Sequence, residues 1–440
     1  MACIARIRHR IGKRAENLLY RMGGLIITLH ALMMPGVDTA SQIRRAYARH
    51  YWRVRSWGEA LEIACAILLW PVAVGLGSLY LTMRNGGTIE RRCGRSRLRQ
   101  WLDQLRLAST RGILPPWYYI FALHDGDRAG HAATFLNRCE TKRGVFPALR
   151  EPQDRTIEFD DKGLFARICH ERRLPTVPVL AVAHGGELHW RGAQALPGAD
   201  LFVKPLDGCG GKGAERWDHR SGLYYRENAK LSRAQLVDRL KRRSRERPLL
   251  IQPRVTNHPA MRALSNGALC TMRLLTCLNE RQAPEIVGAV CRMAVGDNRT
   301  VDNLHAGGIA SRIDLDRGEL SKATDLGLSA RIGWLDVHPD TRAIITGRPV
   351  PQWDAVRALA LRAHTAFAHH IFVGWDIALL EDGPCLVEAN GGPDVDIMQR
   401  HSRKGMMNER FGALLAWHLR HRAPARQAAP MPAGAVLGAR

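Results

Sequence analysis

Residues 201–213 read Leu-Phe-Val-Lys-Pro-Leu-Asp-Gly-Cys-Gly-Gly-Lys-Gly, an apolar strand-like segment that runs directly into a glycine-rich loop. Glycines have no Cβ, so several backbone N–H groups can turn toward one anion, and Lys204 adds a positive charge at the strand end. This pattern is typical of a loop that holds the phosphates of a nucleoside triphosphate, with the lysine before the glycines rather than after them as in a Walker loop. Taken alone, the segment is equally consistent with a flexible hairpin loop. The loop glycines are Gly208, Gly210, Gly211 and Gly213.

The overall composition is that of a folded protein. The chain has 440 residues, of which 46% are hydrophobic and 24% charged, enough for two or three domains that each have a core. Its ten cysteines include no Cys-x-x-Cys pair, so the sequence indicates neither a zinc site nor a disulfide framework. We therefore expect a reduced, cytoplasmic protein.

Positive charge is concentrated at the N-terminus. The formal net charge is +24, and the first 112 residues hold 19 Lys and Arg against six Asp and Glu, a net +13. A basic region of this kind suits an anionic membrane surface or a nucleic acid. The alternative is a generally arginine-rich, solvated surface.

Residues 63–83 read IACAILLWPVAVGLGSLYLTM and contain no charged side chain. This run has about the length that a helix needs to cross a bilayer. Both flanks are basic, so the positive-inside rule gives no orientation, and a re-entrant or in-plane helix at the inner face of the cell membrane fits better than a crossing. A buried core helix remains the alternative. The aromatic and basic flanking residues are Tyr51, Trp52, Arg53, Arg55, Trp57 and Arg84.

These patterns divide the chain into five parts. We predict a basic N-terminal region at 1–57, an apolar membrane-associated helix at 58–83 and a mainly helical segment at 84–150. An α+β catalytic domain is predicted at 151–420, followed by a disordered Pro- and Ala-rich tail at 421–440.

Within the α+β domain, apolar runs of strand length alternate with longer segments of helical period. The pair Asp382-Gly383 between two such runs indicates a tight hairpin. The predicted strands are 177–182, 201–206, 249–252, 268–278, 285–294, 308–314, 371–380 and 384–389, and the predicted helices are 161–172, 232–243, 353–369 and 409–420.

Two further segments fit a nucleotide site. Lys162 opens a predicted helix 42 residues before Lys204, and two lysines on separate elements can bracket a triphosphate. The segment Leu-Leu-Ile-Gln-Pro-Arg-Val at 249–255 reads as a buried strand that offers Gln252 to an adenine edge and Val255 to its ring. A plain core strand is the alternative for this segment.

Carboxylates near the C-terminus predict a metal site. Glu388 and Asn390 lie two residues apart on a predicted strand, so they project from one face, and Asp376 on the paired strand can point to the same side. Buried carboxylates among apolar strands need a cation to satisfy them. Hard oxygen ligands combined with phosphate oxygens suit Mg²⁺.

The order of these segments resembles the ATP-grasp superfamily, over about residues 110–420. The resemblance implies an ATP-grasp fold of two α+β subdomains that sandwich ATP, here with a helical, partly apolar N-terminal region. The usual preceding Rossmann-like domain has little room in this chain. Several short motifs resemble those of the sugar-transfer-associated branch of this superfamily. They are Thr271-Met272-Arg273, Val301-Asp302-Asn303, Gly307-Gly308 and Val373-Gly374-Trp375-Asp376.

The resemblance implies roles for these residues. Lys162 and Lys204 would hold ATP phosphates under the 208–213 loop, and Gln252 with Val255 would line the adenine. Arg273, together with Lys204, would act in catalysis by stabilising the transferring phosphoryl group. The implied Mg²⁺ ligands are Asp376, Glu388 and Asn390, and the acceptor would contact Asn303, His305, Gly307 and Gly308.

The function implied is an ATP- and Mg²⁺-dependent ligase that activates a carboxylate as an acyl-phosphate for transfer to an amine or hydroxyl acceptor. The branch is associated with cell-surface polysaccharide or glycoconjugate biosynthesis, so glycan precursors are expected substrates. Alternatives are an ATP-dependent phosphotransferase acting on a sugar or lipid-linked acceptor, and a non-catalytic membrane-bound scaffold. We expect contact with an anionic membrane surface and no specific nucleic-acid partner.

Overall fold

Two antiparallel sheets and a helical N-terminal region make up the fold. The computed structural model describes residues 36–150, 157–192, 194–206 and 211–421, together with 18, 21–29 and 31. Gly208 and Gly210 of the predicted phosphate loop lie outside the described residues, as does the predicted tail beyond His421.

The N-terminal region is built from helices with clear end signals. Ser56 caps the longest helix by accepting a hydrogen bond from the Glu59 N–H, and Gly94 ends it at a φ of 68°. Residues 36–150 contain no strand, and residues 84–150 are largely helical. The helices are α1 (Thr39–Tyr51), α2 (Trp57–Cys93), α3 (Arg97–Arg111), α4 (Pro115–Ile120), α5 (Arg138–Glu140) and α6 (Phe146–Leu149), with a π-helical turn at Thr141–Val145 between α5 and α6.

After two helices, α7 (Ile157–Asp160) and α8 (Lys162–Glu171), a seven-stranded sheet forms in the order β2-β1-β7-β3-β4-β5-β6. One face packs on α9 (Arg233–Ser244), which buries Leu201 and Val203, while Phe202 and Lys204 point to the other face. The strands are β1 (Ala181–His184), β2 (Glu187–Trp190), β3 (Leu201–Pro205), β4 (Glu215–Arg220), β5 (Leu223–Arg226), β6 (Ala229–Leu231) and β7 (Leu249–Pro253).

A six-stranded sheet follows, in the order β11-β10-β9-β8-β12-β13. Its strands are β8 (Thr271–Leu278), β9 (Pro284–Met293), β10 (Ile309–Ile313), β11 (Leu320–Thr324), β12 (Phe372–Leu380) and β13 (Gly383–Asn390). The remaining helices are α10 (Pro259–Arg262), α11 (Trp353–Ala366), α12 (Val395–Ser402) and α13 (Arg410–His421).

The two faces of the six-stranded sheet have different partners. Met272 and Leu274 of β8 pack with α11 on one face, whereas Leu275 and Cys277 pack with the N-terminal helices on the other. Arg273 lies on this second face, nearer the strand end, so polar residues and the helical layer share one side of the sheet. The functional residues therefore lie at the edge of the N-terminal helical layer.

The predicted α+β class is confirmed, and most predicted elements are found within about three residues of their bounds. The strand predicted at 177–182 is wrong in position, since β1 begins at Ala181 and residues 177–180 form no strand. Those residues follow Thr176, which bridges to Leu386 on the edge strand β13 and so connects the two sheets. The short strands β2, β4, β5, β6 and β11 were not predicted.

We expect Phe146→Ala to lower the free energy of unfolding by about 3–5 kcal/mol, because it removes a fully buried aromatic ring from the core. The Phe146 ring stacks on Phe372 of β12 with centroids 4.2 Å apart, and this contact joins the helical layer to the sheet. Denaturant titration of the purified protein measures the change. Leu61→Ala, at a side chain that is 66% exposed, serves as the control and should change stability by less than about 0.5 kcal/mol. A Phe146→Ala loss as small as the control's would mean that the helical layer is not fixed to the sheet through this contact.

Candidate functional site

A cleft of about 1040 Å³, counted out to solvent, lies between the two sheets. Phe202, Lys204 and Gln252 line it from the seven-stranded sheet, and Asp376 and Glu388 line it from the six-stranded sheet. The structure thus brings together residues that are more than 120 positions apart in sequence. The residues predicted from the sequence that line the cleft are Lys162, Lys204, Gly211, Gln252, Val255, Asn303, Asp376 and Glu388.

Two lysines meet at this cleft from separate elements. Lys162, the first residue of α8, donates from Nζ to the Leu206 carbonyl at 3.2 Å, which holds it beside the end of β3. Burial lowers the pKa of Lys204 to about 8, a shift that the nearby Glu388 carboxylate opposes and Lys162 reinforces. A buried ammonium of this kind is satisfied by an anion, and a polyphosphate supplies several.

The described part of the glycine loop faces the segment that contains Val301. Gly211 has a φ of 72°, and a Cβ there would lie 2.9 Å from Val301 Cγ1, so only glycine fits without a shift. Gly213 also has a positive φ of 77°, but it does not line the cleft. Lys212 between them does line it and adds a third lysine.

The predicted adenine residues line the cleft together with Val177, from the segment that joins the two sheets. Gln252 is buried and donates from Nε2 to the Val177 carbonyl at 3.0 Å, so its amide ties β7 to the segment that joins the sheets. Val255, Phe202 and Val177 give the same region an apolar lining. Contact of Gln252 with an adenine edge remains a prediction.

A buried charge cluster underlies the cleft on the six-stranded sheet. Arg273 binds Asp376 through both carboxylate oxygens, with Nη2 to Oδ2 at 2.8 Å, and Arg292 Nη2 reaches the same Oδ2 at 2.9 Å. Burial alone would raise the pKa of Asp376, but the two guanidinium groups hold it at about 2. The carboxylate is therefore ionised and fixed in position.

The cluster extends to the loop that contains Asn303. The Thr271 hydroxyl and backbone N–H both donate to Asp302 Oδ2, at 2.6 and 2.7 Å, and Arg292 lies 3.7 Å from the same oxygen. Burial raises the pKa of the Asp302 carboxyl. Gly308 supports this loop, since a Cβ there would lie 2.7 Å from the Asp302 carbonyl oxygen. The loop that contains Asn303 is thus anchored to the charge cluster through Asp302.

The metal-binding prediction fits Glu388 and Asn390 best. Glu388 pairs directly with Asp376 across β12 and β13, and no hydrogen bond or ion pair from the described residues occupies its carboxylate. Asn390 Nδ2 is a buried donor without a partner among those residues, so it can donate to a phosphate oxygen, while the amide oxygen is the atom able to bind a metal. Asp376 retains acceptor capacity on Oδ1 beyond its bonds to the two arginines. This donor set suits Mg²⁺ together with phosphate oxygens.

Basic residues from the N-terminal region surround the loop that follows Asn390. Lys142 and Arg150 donate to the carbonyls of Gly392 and Gly391, and Arg138 pairs with Asp394 at 2.9 Å. Burial lowers the pKa of Lys142, and nearby Arg138 lowers it further. The helical layer therefore adds positive charge beside the predicted metal ligands.

Asp396 lies at the start of α12 behind this loop. It accepts a hydrogen bond from Trp117 Nε1 at 2.9 Å, and its Oδ1 is buried without a partner among the described residues. Burial and the neighbouring Asp394 raise the pKa of Asp396 to about 8. A carboxyl group with a pKa of about 8 thus lies behind the loop that follows Asn390.

Some predicted residues lie outside the cleft lining. Arg273 lies beneath it, in contact with Asp376, while His305 and Gly307 are exposed in the neighbouring loop. Sequence reasoning missed Arg292, although an arginine within the apolar strand Val290–Met293 was a signal for a buried ion pair. It also missed Lys142, Arg150 and Arg138, which lie in the helical segment and gave no signal of contact with residues 240 or more positions later.

Comparison with known proteins gives one family match, to sugar-transfer associated ATP-grasp over residues 147–412. No curated protein matches the chain. Solved structures with similar folds include D-alanyl-alanine synthetase A from Vibrio cholerae O1 biovar eltor (10% identity, TM-score 0.36, 60% of this chain and 65% of that chain). Biotin carboxylase from Campylobacter jejuni is similar at 10% identity and a TM-score of 0.35, over 61% of this chain and 48% of that one. L-amino acid ligase from Bacillus licheniformis is similar at 10% identity and a TM-score of 0.31, over 60% of this chain and 45% of that one. The chain thus spans about half to two thirds of the length of these proteins.

We expect Arg292→Leu to destabilise the fold by about 3–5 kcal/mol, because Asp376 and Asp302 lose a buried cationic partner. Arg312→Leu on the adjacent strand β10 is the matched control. Arg312 is exposed and lies 3.7 Å from Asp314, so its loss should cost less than about 1 kcal/mol. Chemical denaturation of the two variants makes the comparison, and equal losses would contradict a buried role for Arg292.

The pH dependence of Lys204 gives a second test. Its folded pKa of about 8 lies below its usual 10.5, so the cost of burying its charge is fully present below pH 8 and fades as pH rises toward 10.5. If Lys204 binds the phosphates, ATP binding requires its charged form, and we then expect ATP affinity to fall above pH 8 by up to about tenfold per pH unit. Isothermal titration across this range measures it. Lys204→Arg keeps its charge throughout and should show a flat profile, and an identical slope in this variant would contradict the assignment.

Proposed function

Because the chain belongs to the sugar-transfer-associated ATP-grasp family, we propose that it is an ATP- and Mg²⁺-dependent ligase that joins a carboxylate to an amine or hydroxyl acceptor. The observation that carries the proposal is the cleft between the sheets. Lysines line it from the side of the seven-stranded sheet, and Glu388 lines it from the six-stranded sheet beside an ionised Asp376. This arrangement matches a substrate that carries a polyphosphate and a divalent cation.

The chain's own residues provide positioning and charge. Lys162 and Lys204 would hold the phosphates from the seven-stranded sheet, and Gly211 would allow the backbone to approach them closely. Glu388, Asn390 and the remaining acceptor capacity of Asp376 would hold Mg²⁺. When bound, the metal neutralises charge on the phosphate oxygens.

The proposed reaction has two steps. A substrate carboxylate oxygen attacks the γ-phosphorus, the bond to the β-bridging oxygen breaks, and ADP leaves with that electron pair. The acceptor nitrogen or oxygen then attacks the acyl carbon, inorganic phosphate leaves, and the acceptor proton passes to solvent. In-line positioning and charge neutralisation account for most of the rate in such chemistry. Arg273 would stabilise negative charge at the acyl-phosphate from below the cleft.

The substrate carboxylate has a matching surface. Lys142, Arg150 and Arg138 surround the loop after Asn390, so an anionic substrate could dock between that loop and the predicted metal ligands. The acceptor would approach from the side of Asn303 and the exposed His305. Glycan precursors of the cell surface carry both carboxylates and hydroxyls, and we propose them as the substrate class.

We also propose that the enzyme works at the inner face of the cell membrane. Among the described residues, α2 is the one helix long and apolar enough to cross a membrane by length and composition. Its outward face is a stripe of exposed apolar side chains, whereas Ala66, Val74 and Leu81 on the opposite face pack on the protein. A helix with one protein-packed face and one apolar exposed face suits a location in the plane of the membrane surface. The stripe contains Trp57, Leu61, Leu68, Val72, Leu76, Leu79 and Met83.

We expect Glu388→Gln to reduce formation of the ATP-dependent product at least about 100-fold, because it removes a charged ligand from the predicted metal site. The protein is incubated with ATP, Mg²⁺ and pooled cell-envelope precursors, and mass spectrometry identifies the product. Glu381→Gln in the same hairpin is the matched control, since Glu381 is exposed and should leave the rate unchanged.

The product decides the reaction class. An acyl–acceptor bond formed only with ATP supports the ligase. A phosphorylated acceptor without acyl transfer overturns it in favour of a phosphotransferase. Equal activity of Glu388→Gln and the control overturns the metal assignment.

A further inference from the structure

A second cavity, of about 410 Å³, lies in the N-terminal helical region away from the ATP cleft. It is enclosed by residues from the helical segment 21–29, from α1 and the turn that follows it, from the start of α2 and from the π-helical turn before α6. Its lining residues are Arg21, Tyr47, His50, Tyr51, Arg53, Arg55, Glu59 and Arg143.

Two buried donors in this cavity have no partner among the described residues, Arg21 Nε and Tyr51 Oη. Arg21 is held rigidly, since its Nη1 donates to the Tyr51 carbonyl at 3.0 Å and its guanidinium lies 5.4 Å from the Tyr51 ring centroid. A buried donor without an acceptor costs about 1–3 kcal/mol. An acceptor in the cavity would remove that cost at both atoms.

The charges around the cavity select an anion. Four arginines and His50 surround one carboxylate, Glu59. That carboxylate is already engaged, because its Oε2 accepts from the Arg55 backbone N–H at 2.8 Å and its Oε1 lies 3.7 Å from Arg21. Burial and three of the arginines lower the pKa of His50, which keeps the imidazole neutral and able to donate one hydrogen bond. A tetrahedral oxyanion with several acceptor oxygens fits these donors.

The position of the cavity indicates where the anion comes from. Its wall includes Arg53 and Arg55, which alternate with the exposed Trp52 and Val54. Trp57, 92% exposed, begins α2 immediately afterwards. Arginines interleaved with exposed aromatic and apolar side chains are typical of segments at the headgroup level of a bilayer. The cavity thus opens at the end of the apolar stripe, where lipid phosphates would lie.

We propose that this cavity binds the phosphate group of an anionic membrane lipid, with Arg21 and Tyr51 at its base and Arg53 and Arg55 at its mouth. The inference rests on the proposed membrane location of α2 and is independent of the ligase chemistry. The lipid phosphate would fix the orientation of the whole protein at the membrane surface and so set the direction in which the ATP cleft faces.

The test compares two charge-matched double variants of the full chain. Arg53→Gln/Arg55→Gln removes the mouth of the cavity, and Arg49→Gln/Arg91→Gln removes two exposed arginines outside it. Both changes leave the buried base intact, so both proteins should fold. Binding is measured by co-flotation with phosphatidylcholine vesicles that contain phosphatidylglycerol or, at equal negative charge, oleate.

The loss of positive charge alone should lower the affinity of each double variant for both kinds of vesicle by up to about fivefold per arginine. For the cavity variant, Arg53→Gln/Arg55→Gln, we expect the affinity for phosphatidylglycerol vesicles to fall by a further tenfold or more. Its affinity for oleate vesicles should show no further fall. Equal losses in the two variants overturn the proposal. A second outcome also overturns it. Inorganic phosphate without vesicles would stabilise wild type but not the cavity variant, while both variants bind the two kinds of vesicle equally. The ligand would then be a soluble phosphate.

Two controls separate this inference from the proposed function. If wild type binds neither kind of vesicle, the membrane location falls together with this inference, whereas equal losses in the double variants overturn the cavity assignment alone. ATP-dependent product formation in detergent should be unchanged in Arg53→Gln/Arg55→Gln. A parallel loss of that activity would contradict the independence of the cavity from the ATP cleft.

Discussion

The ion pairs of Asp376 with Arg273 and Arg292 are the interaction on which the rest of the site depends. Moving a charge out of water costs several kcal/mol, so each of these groups is tolerable only while its partners remain. The pairs join β8, β9 and β12 at one level and thereby fix the neighbouring Glu388 on β13. Because Arg292 also lies 3.7 Å from Asp302, the two arginines face two carboxylates, and each buried charge has an opposite charge beside it.

The N-terminal helices act as part of this site as well as part of its support. They cover the apolar portion of the sheet face that carries the charge cluster, and Phe146 meets Phe372 at the boundary. From the same layer, Lys142 and Arg150 hold the carbonyls of Gly391 and Gly392 and so shape the chain just after Asn390. A helical layer therefore lies beside the two sheets and supplies the basic residues around the loop that follows Asn390.

The sequence predicted those helices and strands whose local hydrophobic pattern matches the way they pack in the fold. The order of Lys204, Gln252, Asp376 and Glu388 led to the correct family and to the α+β fold, and long apolar strands such as β12 were found nearly to the residue. Strands β4, β5 and β6 were missed because they are short and rich in charged and polar side chains. The local feature that marks the β4–β5 hairpin is its turn, where Ser221 and Gly222 both have positive φ. Arg292 and Lys142 were missed because their partners are set by strand register and by helix docking, which no local window contains.

The contacts of α2 favour a location along the membrane rather than across it. The helix has 37 residues and is about 55 Å long, well beyond the thickness of a hydrocarbon core. Polar groups along its inner face bind the protein, with Thr82 bound to Gln104, Asn85 to the Leu328 carbonyl and Arg92 to the Ala330 carbonyl. The bond of Thr82 holds the second half of the helix on α3, and those of Asn85 and Arg92 hold it on the α+β domain, so entry of this half into the bilayer would break all three. Under the proposed location, the exposed stripe and the arginine cavity lie on one membrane-facing side, and the cleft is held at a fixed distance from the lipid surface.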